Sequence, residues 1–117
     1  MTTRASALAE DPITAAFAQL VNMTPHELEA WLQADQSREV GAKPPQGGES
    51  TGHASGRHIV KILRKKKGIW NDADLRAMHR VVGSIKRHLA QRPSGDVHAT
   101  HWADSLKNWG HDPLKVG

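Results

Sequence analysis

The chain has 117 residues, no cysteine and a formal charge of +4 at pH 7. That length suits one domain able to bury a core without a disulfide or metal staple, and the lack of cysteine excludes thiolate catalysis, disulfide frameworks and cysteine-based zinc sites. No apolar run reaches the length of a membrane span and Met1–Glu10 has no signal-peptide pattern, so no membrane role is expected and the cytoplasm is the expected location.

Residues 1–10 carry no periodicity and read as a flexible tail of a single domain spanning 1–117. Asp11-Pro12 supplies a capping carboxylate followed by a first-turn proline, and Ile13, Phe17, Leu20 and Val21 then fall on one helical stripe. Met23-Thr24-Pro25-His26-Glu27-Leu28 is a denser start signal. It combines an N-cap threonine, a proline at N1, a reciprocal glutamate at N3 and a Met23/Leu28 staple. Leu28, Trp31 and Leu32 would form the buried face, with the helix fading near Ala34 or Asp35. Residues 35–54 hold Gly41, Pro44, Pro45, Gly47, Gly48 and Gly52 and few apolar side chains. They read as a long loop, either functional or disordered, with disorder expected over Val40–Gly48.

A third helix is expected from about Ser55 to Lys67, ended by Gly68, with Ile59, Ile62 and Leu63 as its apolar face. Asn71 should cap a fourth and longest helix, whose first turn carries Asp72 and Asp74 and whose buried stripe is Leu75, Met78, Val82, Ile85 and Leu89. Gly83 in its middle costs stability unless a neighbouring helix packs close there. Pro93 ends that helix, Ser94-Gly95-Asp96 turns the chain, and a short last helix carries Trp102, Leu106 and Trp109 up to Gly110 at its C-terminal end. With no sustained β alternation, the expected fold is all-α, a compact bundle of about five helices with a long Gly/Pro-rich loop.

Charge is distributed unevenly along this framework. Residues 1–50 hold three Lys/Arg against seven Asp/Glu, and residues 51–117 hold thirteen against five. Between Arg57 and Arg92, eleven basic residues face two acidic ones, a concentration that raises a positive potential over one region. This basic helical pair, residues 55–92, supplies the candidate nucleic-acid contacts: Arg57, Lys61, Arg64, Lys65, Lys66 and Lys67 from the first helix and its end, and Arg76, Arg80, Lys86, Arg87 and Arg92 from the second. Trp70, directly after the lysine run, is added because an indole there could stack on a base, although packing is the commoner fate of such a side chain.

Other chemistry finds little support. Gly47-Gly48-Glu49-Ser50-Thr51-Gly52-His53-Ala54 has the glycine spacing of a phosphate loop, but His53 and Ala54 stand where it needs lysine and Ser/Thr, and no strand precedes it. A helix start at Ser55-Gly56 could still accept a phosphate oxygen. His98 and His101, near His111, lack the spacing of a zinc site, and no nucleophile motif occurs. No enzyme activity, metal or cofactor is expected. Eight histidines would instead add charge just below neutral pH and tighten polyanion binding there.

The segments Met23-Thr24-Pro25-His26-Glu27-Leu28-Glu29-Ala30-Trp31-Leu32, Gly52-His53-Ala54-Ser55-Gly56-Arg57, His88-Leu89-Ala90-Gln91-Arg92-Pro93 and Asn108-Trp109-Gly110-His111-Asp112-Pro113 resemble a family of small bacterial and fungal proteins catalogued as a domain of unknown function. The resemblance covers roughly residues 20–115. Some members carry the bare label "DNA-binding protein", and the resemblance implies no enzyme, cofactor or site residue. The function expected is therefore non-catalytic, sequence-independent binding to the DNA phosphate backbone, with RNA as the other polyanion, a nucleoid role, and a homodimer as one arrangement. A helix-turn-helix is disfavoured by the two acids that open its second helix. The alternative is a protein-interaction or self-associating module that joins its acidic N-terminal half to the basic half of another copy.

Overall fold

The computed structural model describes residues 11–43, 45, 47–66 and 69–115, and all regular structure among them is helical. The expected tail at 1–10 lies outside the described residues. Helix α1 (Pro12–Leu20) starts where Asp11 accepts a hydrogen bond from the Ile13 N–H. Helix α2 (Pro25–Leu32) opens with the full capping box: Thr24 Oγ1 accepts from the Glu27 N–H at 3.1 Å, and Glu27 Oε1 accepts from the Thr24 N–H at 2.8 Å. Met23 and Leu28, the predicted staple, are both buried in the core.

The segment 35–54 differs from the long loop expected there. Asp35–Glu39 forms a short helix, α3, and α4 (Thr51–Arg64) begins four residues before Ser55. Neither the α3 segment nor the first turn of α4 announces itself by an apolar stripe, because each is held by polar contacts of a serine. Ser37 is fully buried against Asn108, and Ser50 caps α4 by accepting from the His53 N–H. What remains between them is tied at its start, where Val40 is buried and the Thr51 N–H donates to the Ala42 carbonyl; of the stretch Val40–Gly48 where disorder is expected, Pro44 and Gln46 lie outside the described residues.

Helix α4 ends at Arg64, short of the expected Lys67, and Lys67 and Gly68 lie outside the described residues. Helix α5 (Asp72–Ala90) has a second capping box, between Asn71 and Asp74, and α6 (His101–Asn108) is capped by Thr100. Six helices are thus described where about five were expected. Gly110 follows α6 with φ +84°, the left-handed turn that stops a helix at little cost only when the residue is glycine.

Helix α4 is central, packed on α2, α5 and α6, while α1 lies along α5. The core is assembled from Phe17, Leu28, Ile59, Met78, Val81, Ile85 and Leu106. Gly56 makes the α4 crossing with α2 and α6 tight: a Cβ there would come within 2.5 Å of the Asn108 carbonyl oxygen and 2.7 Å of Leu32 Cδ2. Beside it, Asn108 joins three elements. Its Oδ1 accepts from Trp31 Nε1 on α2 at 2.8 Å and from Ser37 Oγ on α3 at 2.5 Å, and its Nδ2 donates to the Ser37 carbonyl at 2.9 Å.

The C-terminal segment closes the fold. The Asn22 and Met23 N–H groups donate to the Gly110 carbonyl. The Asn22 side chain exchanges two hydrogen bonds with the Asp112 backbone, and His111 Nδ1 bonds the Leu20 carbonyl. No helix among the described residues is long and apolar enough to cross a membrane.

Candidate functional site

The basic residues singled out by sequence occupy two separate rows. On α4, Arg57, Lys61 and Arg64 share one exposed face by their i, i+4, i+7 spacing, and two of the three are already matched by carboxylates of the acidic half. Arg57 meets Glu49 in a forked pair at 2.7 and 2.6 Å, and Arg64 meets Glu29 at 2.8 and 3.3 Å. The Arg57 guanidinium, with His53 beside it, holds the Glu49 carboxyl down at about 2. Arg64 likewise lowers Glu29, and each arginine is raised in return.

Lys65 turns inward. It pairs with Asp74, whose side chain is 3% exposed and also meets His58 Nε2 at 2.9 Å. Burial opposes ionisation of Asp74, but the contacts from Lys65, His58 and the Asn71 N–H outweigh it and bring its pKa below the usual value. Asp74 therefore does more than cap α5: it ties α5 to α4. Among the described residues, Lys61 and Lys66 are exposed and make no ion pair, and Lys67 falls outside them. Trp70 is half-buried against the core, with its Nε1 3.4 Å from the Ile62 carbonyl, a packing position.

The second row is on α5. At 3.6 residues per turn Arg76, Arg80 and Arg87 fall within about 40° of one another, on the face opposite the buried stripe. Arg76, Arg80 and the neighbouring Lys86 are exposed and have no carboxylate partner among the described residues. Arg87 Nη2 donates to Ser84 Oγ at 3.2 Å, and Arg92 lies over the Trp102 ring at 5.3 Å. Arg80 and Arg87 border an open groove of about 520 Å³ whose other sides are the start of α4 and α6, and no Asp or Glu among the described residues lines it. Arg57, Lys61 and Arg64 line a different groove, beside α2.

Of the basic residues expected over both helices, Arg57 and Arg64 are thus paired with carboxylates and Lys65 with Asp74, and the two rows line different grooves. The period of each row was legible in the sequence, but the partners of the α4 row were not, because Glu29 reaches Arg64 across 35 residues. Among the described residues no three His, Asp or Glu side chains converge as a metal site would need.

No curated protein and no solved structure matches the chain. The family described as "Protein of unknown function (DUF3140)" matches residues 16–107, from within α1 to the last turn of α6, so the protein belongs to that family.

Proposed function

We propose that the protein is a non-catalytic binder of the nucleic-acid phosphate backbone, acting through α5 rather than α4, in a role such as nucleoid organisation. The observation that carries this reading is the row Arg76, Arg80 and Arg87 with Lys86 beside it, exposed and making no ion pair with a carboxylate among the described residues. From Arg76 to Arg87 the row is about 16 Å long, the axial length of about five base pairs. Contacts of this kind position a protein on a duplex without reading sequence.

The alternative, self-association between acidic and basic halves, needs acidic groups free to reach a second copy. Glu27, Glu29 and Glu49 are engaged within the chain, by Lys115, Arg64 and Arg57, while Asp35 and Glu39 are exposed without an ion pair among the described residues. The acidic surface left for a second copy is therefore small, which favours the first reading.

Fluorescence anisotropy with a duplex probe over a salt series tests it. Four phosphate contacts give a log-log salt slope of about −3 to −4. Replacing Arg76, Arg80 and Lys86 with Gln removes most of that slope, whereas Arg57→Gln and Arg64→Gln leave it nearly unchanged. A slope near zero, or a loss that follows Arg57 and Arg64, refutes the assignment.

A further inference from the structure

The tryptophans differ in what their indole N–H groups do. Trp31 donates to Asn108 Oδ1, Trp70 to the Ile62 carbonyl and Trp102 to the His88 carbonyl. Trp109 is only 8% exposed, yet its Nε1 has no acceptor among the described residues. Every sealed-in polar side-chain atom among the described residues has a partner, so the Trp109 N–H is not sealed in, and Trp109 lines the groove beside Arg80 and Arg87.

A second free donor lies next to it. In the first turn of α4 the Thr51 N–H reaches the Ala42 carbonyl, the His53 N–H reaches Ser50 Oγ and the Ala54 N–H reaches the Ser50 carbonyl. The Gly52 N–H has no acceptor among the described residues. Gly52 borders the same groove, and a Cβ on it would stand 3.1 Å from Trp109 Nε1. The two donors thus share one end of the groove, at the positive end of a 14-residue helix.

The facing wall is α5. Arg80 and Arg87 bring two positive charges, and Arg87 is steadied by Ser84. Gly83 lies between them, and no neighbouring helix packs close there: a Cβ would meet only Arg87 Nη1, at 3.3 Å. The helix-weakening glycine leaves space for the guanidinium rather than for a packing partner. Ser105 and Thr51 add hydroxyls to the lining.

We infer that this groove is a binding site for a phosphomonoester. Two guanidinium groups match the charge of about −1.5 to −2 that such a group carries, and an amide, an indole N–H and hydroxyls from other directions suit its three terminal oxygens better than a planar carboxylate. A volume of about 520 Å³ leaves room for the organic group attached to it and falls within the range of small-molecule sites. The phosphomonoester could belong to a free metabolite or to the end of a nucleic-acid strand. The site goes beyond backbone binding, because Gly52, Gly83 and Trp109 have no part in the row on α5.

Titration of the 15N-labelled protein with inorganic phosphate, with adenosine 5′-monophosphate and with 5′-phosphorylated and 5′-hydroxyl oligonucleotides tests it. The expected result is a saturable downfield shift of the Trp109 Nε1–H and Gly52 N–H signals with phosphate and with each phosphomonoester. Gly83→Glu sets a carboxylate between the two arginines at a half-buried position where a Cβ meets only the movable Arg87 guanidinium, so the fold survives, and it weakens binding roughly tenfold or more. Arg76→Gln leaves it unchanged, although the same substitution weakens duplex binding, which separates this site from the α5 row. A 5′-phosphorylated strand that binds better than both the monophosphate and the 5′-hydroxyl strand identifies a nucleic-acid end as the source; equal binding of monophosphate and strand identifies a free metabolite. Absence of a shift at Trp109 and Gly52, or equal shifts in Gly83→Glu, overturns the inference.

Discussion

Replacing Asn108 with alanine removes the polar centre of the α2, α3 and α6 junction. The side chain is 1% exposed and its three hydrogen bonds go to Ser37 Oγ, the Ser37 carbonyl and Trp31 Nε1. Trp31 is half-buried and can turn its N–H toward water, but Ser37 is fully buried and cannot. Two stranded groups at Ser37 and one weakened donor at Trp31 come to about 3–5 kcal/mol. A domain of this size has a total stability of about 5–15 kcal/mol, so Asn108→Ala sits close to the threshold of folding. Urea denaturation followed by tryptophan fluorescence reads the effect: the midpoint falls by about 2 M for an m-value near 2 kcal/mol/M. Ser37→Ala alone costs about 1 kcal/mol, and adding it to Asn108→Ala costs little more, because the partner is already lost. An unchanged midpoint in Asn108→Ala, or two substitutions that simply add, refutes the account of this junction.

Two glycines in helix interiors respond in opposite directions to alanine. Gly56→Ala forces a methyl group against a carbonyl oxygen and Leu32, and costs about 1–3 kcal/mol or more, measured as a lower Tm. Gly83→Ala meets only a movable guanidinium and gains about 0.4–1 kcal/mol, visible as a higher Tm in the same assay. Stability also depends on pH through carboxylates whose pKa values are depressed on folding, Glu49 to about 2 and Asp74 and Glu29 below their ordinary values. The unfolded chain binds more protons, so these contributions are complete above about pH 5 and disappear as pH falls toward 2. Tm measured across that window falls, and Asp74→Asn, itself less stable at neutral pH, shows a shallower acid limb. An equal slope in both proteins removes Asp74 from the explanation.

The starts of α1, α2 and α5 were legible because their caps are local: Asp11, Thr24 with Glu27, and Asn71 each satisfy N–H groups two or three residues away. The start of α4 was hidden because Gly52 and Gly56 look like helix breakers in a one-dimensional reading, whereas in the fold they let α4 approach Trp109, Leu32 and Asn108. Helix α3 left no periodic signal at all, since five residues held by one serine make no stripe. In the candidate site, the spacing of Arg76, Arg80 and Arg87 is visible once α5 is drawn as a wheel. The neutralisation of Arg57 and Arg64 is not, because it depends on how α2 and the Ser50 turn pack beside α4. The free Trp109 N–H is equally invisible, since only coordinates distinguish a donor with an acceptor from one without.

The strap formed by Gly110, His111 and Asp112 on the α1–α2 turn has a bearing on how the molecule is made. Asn22 and Asp112 are 90 residues apart, so the earliest helices emerge from a ribosome long before the segment that locks them. Until residues 110–112 have emerged, Leu20, Asn22 and Met23 lack these partners and Val21 lacks the cover of Gly110, leaving an unfinished apolar seam. A nascent chain stalled before residue 110 therefore stays sensitive to protease at this turn, and protection arrives once Gly110, His111 and Asp112 can dock there.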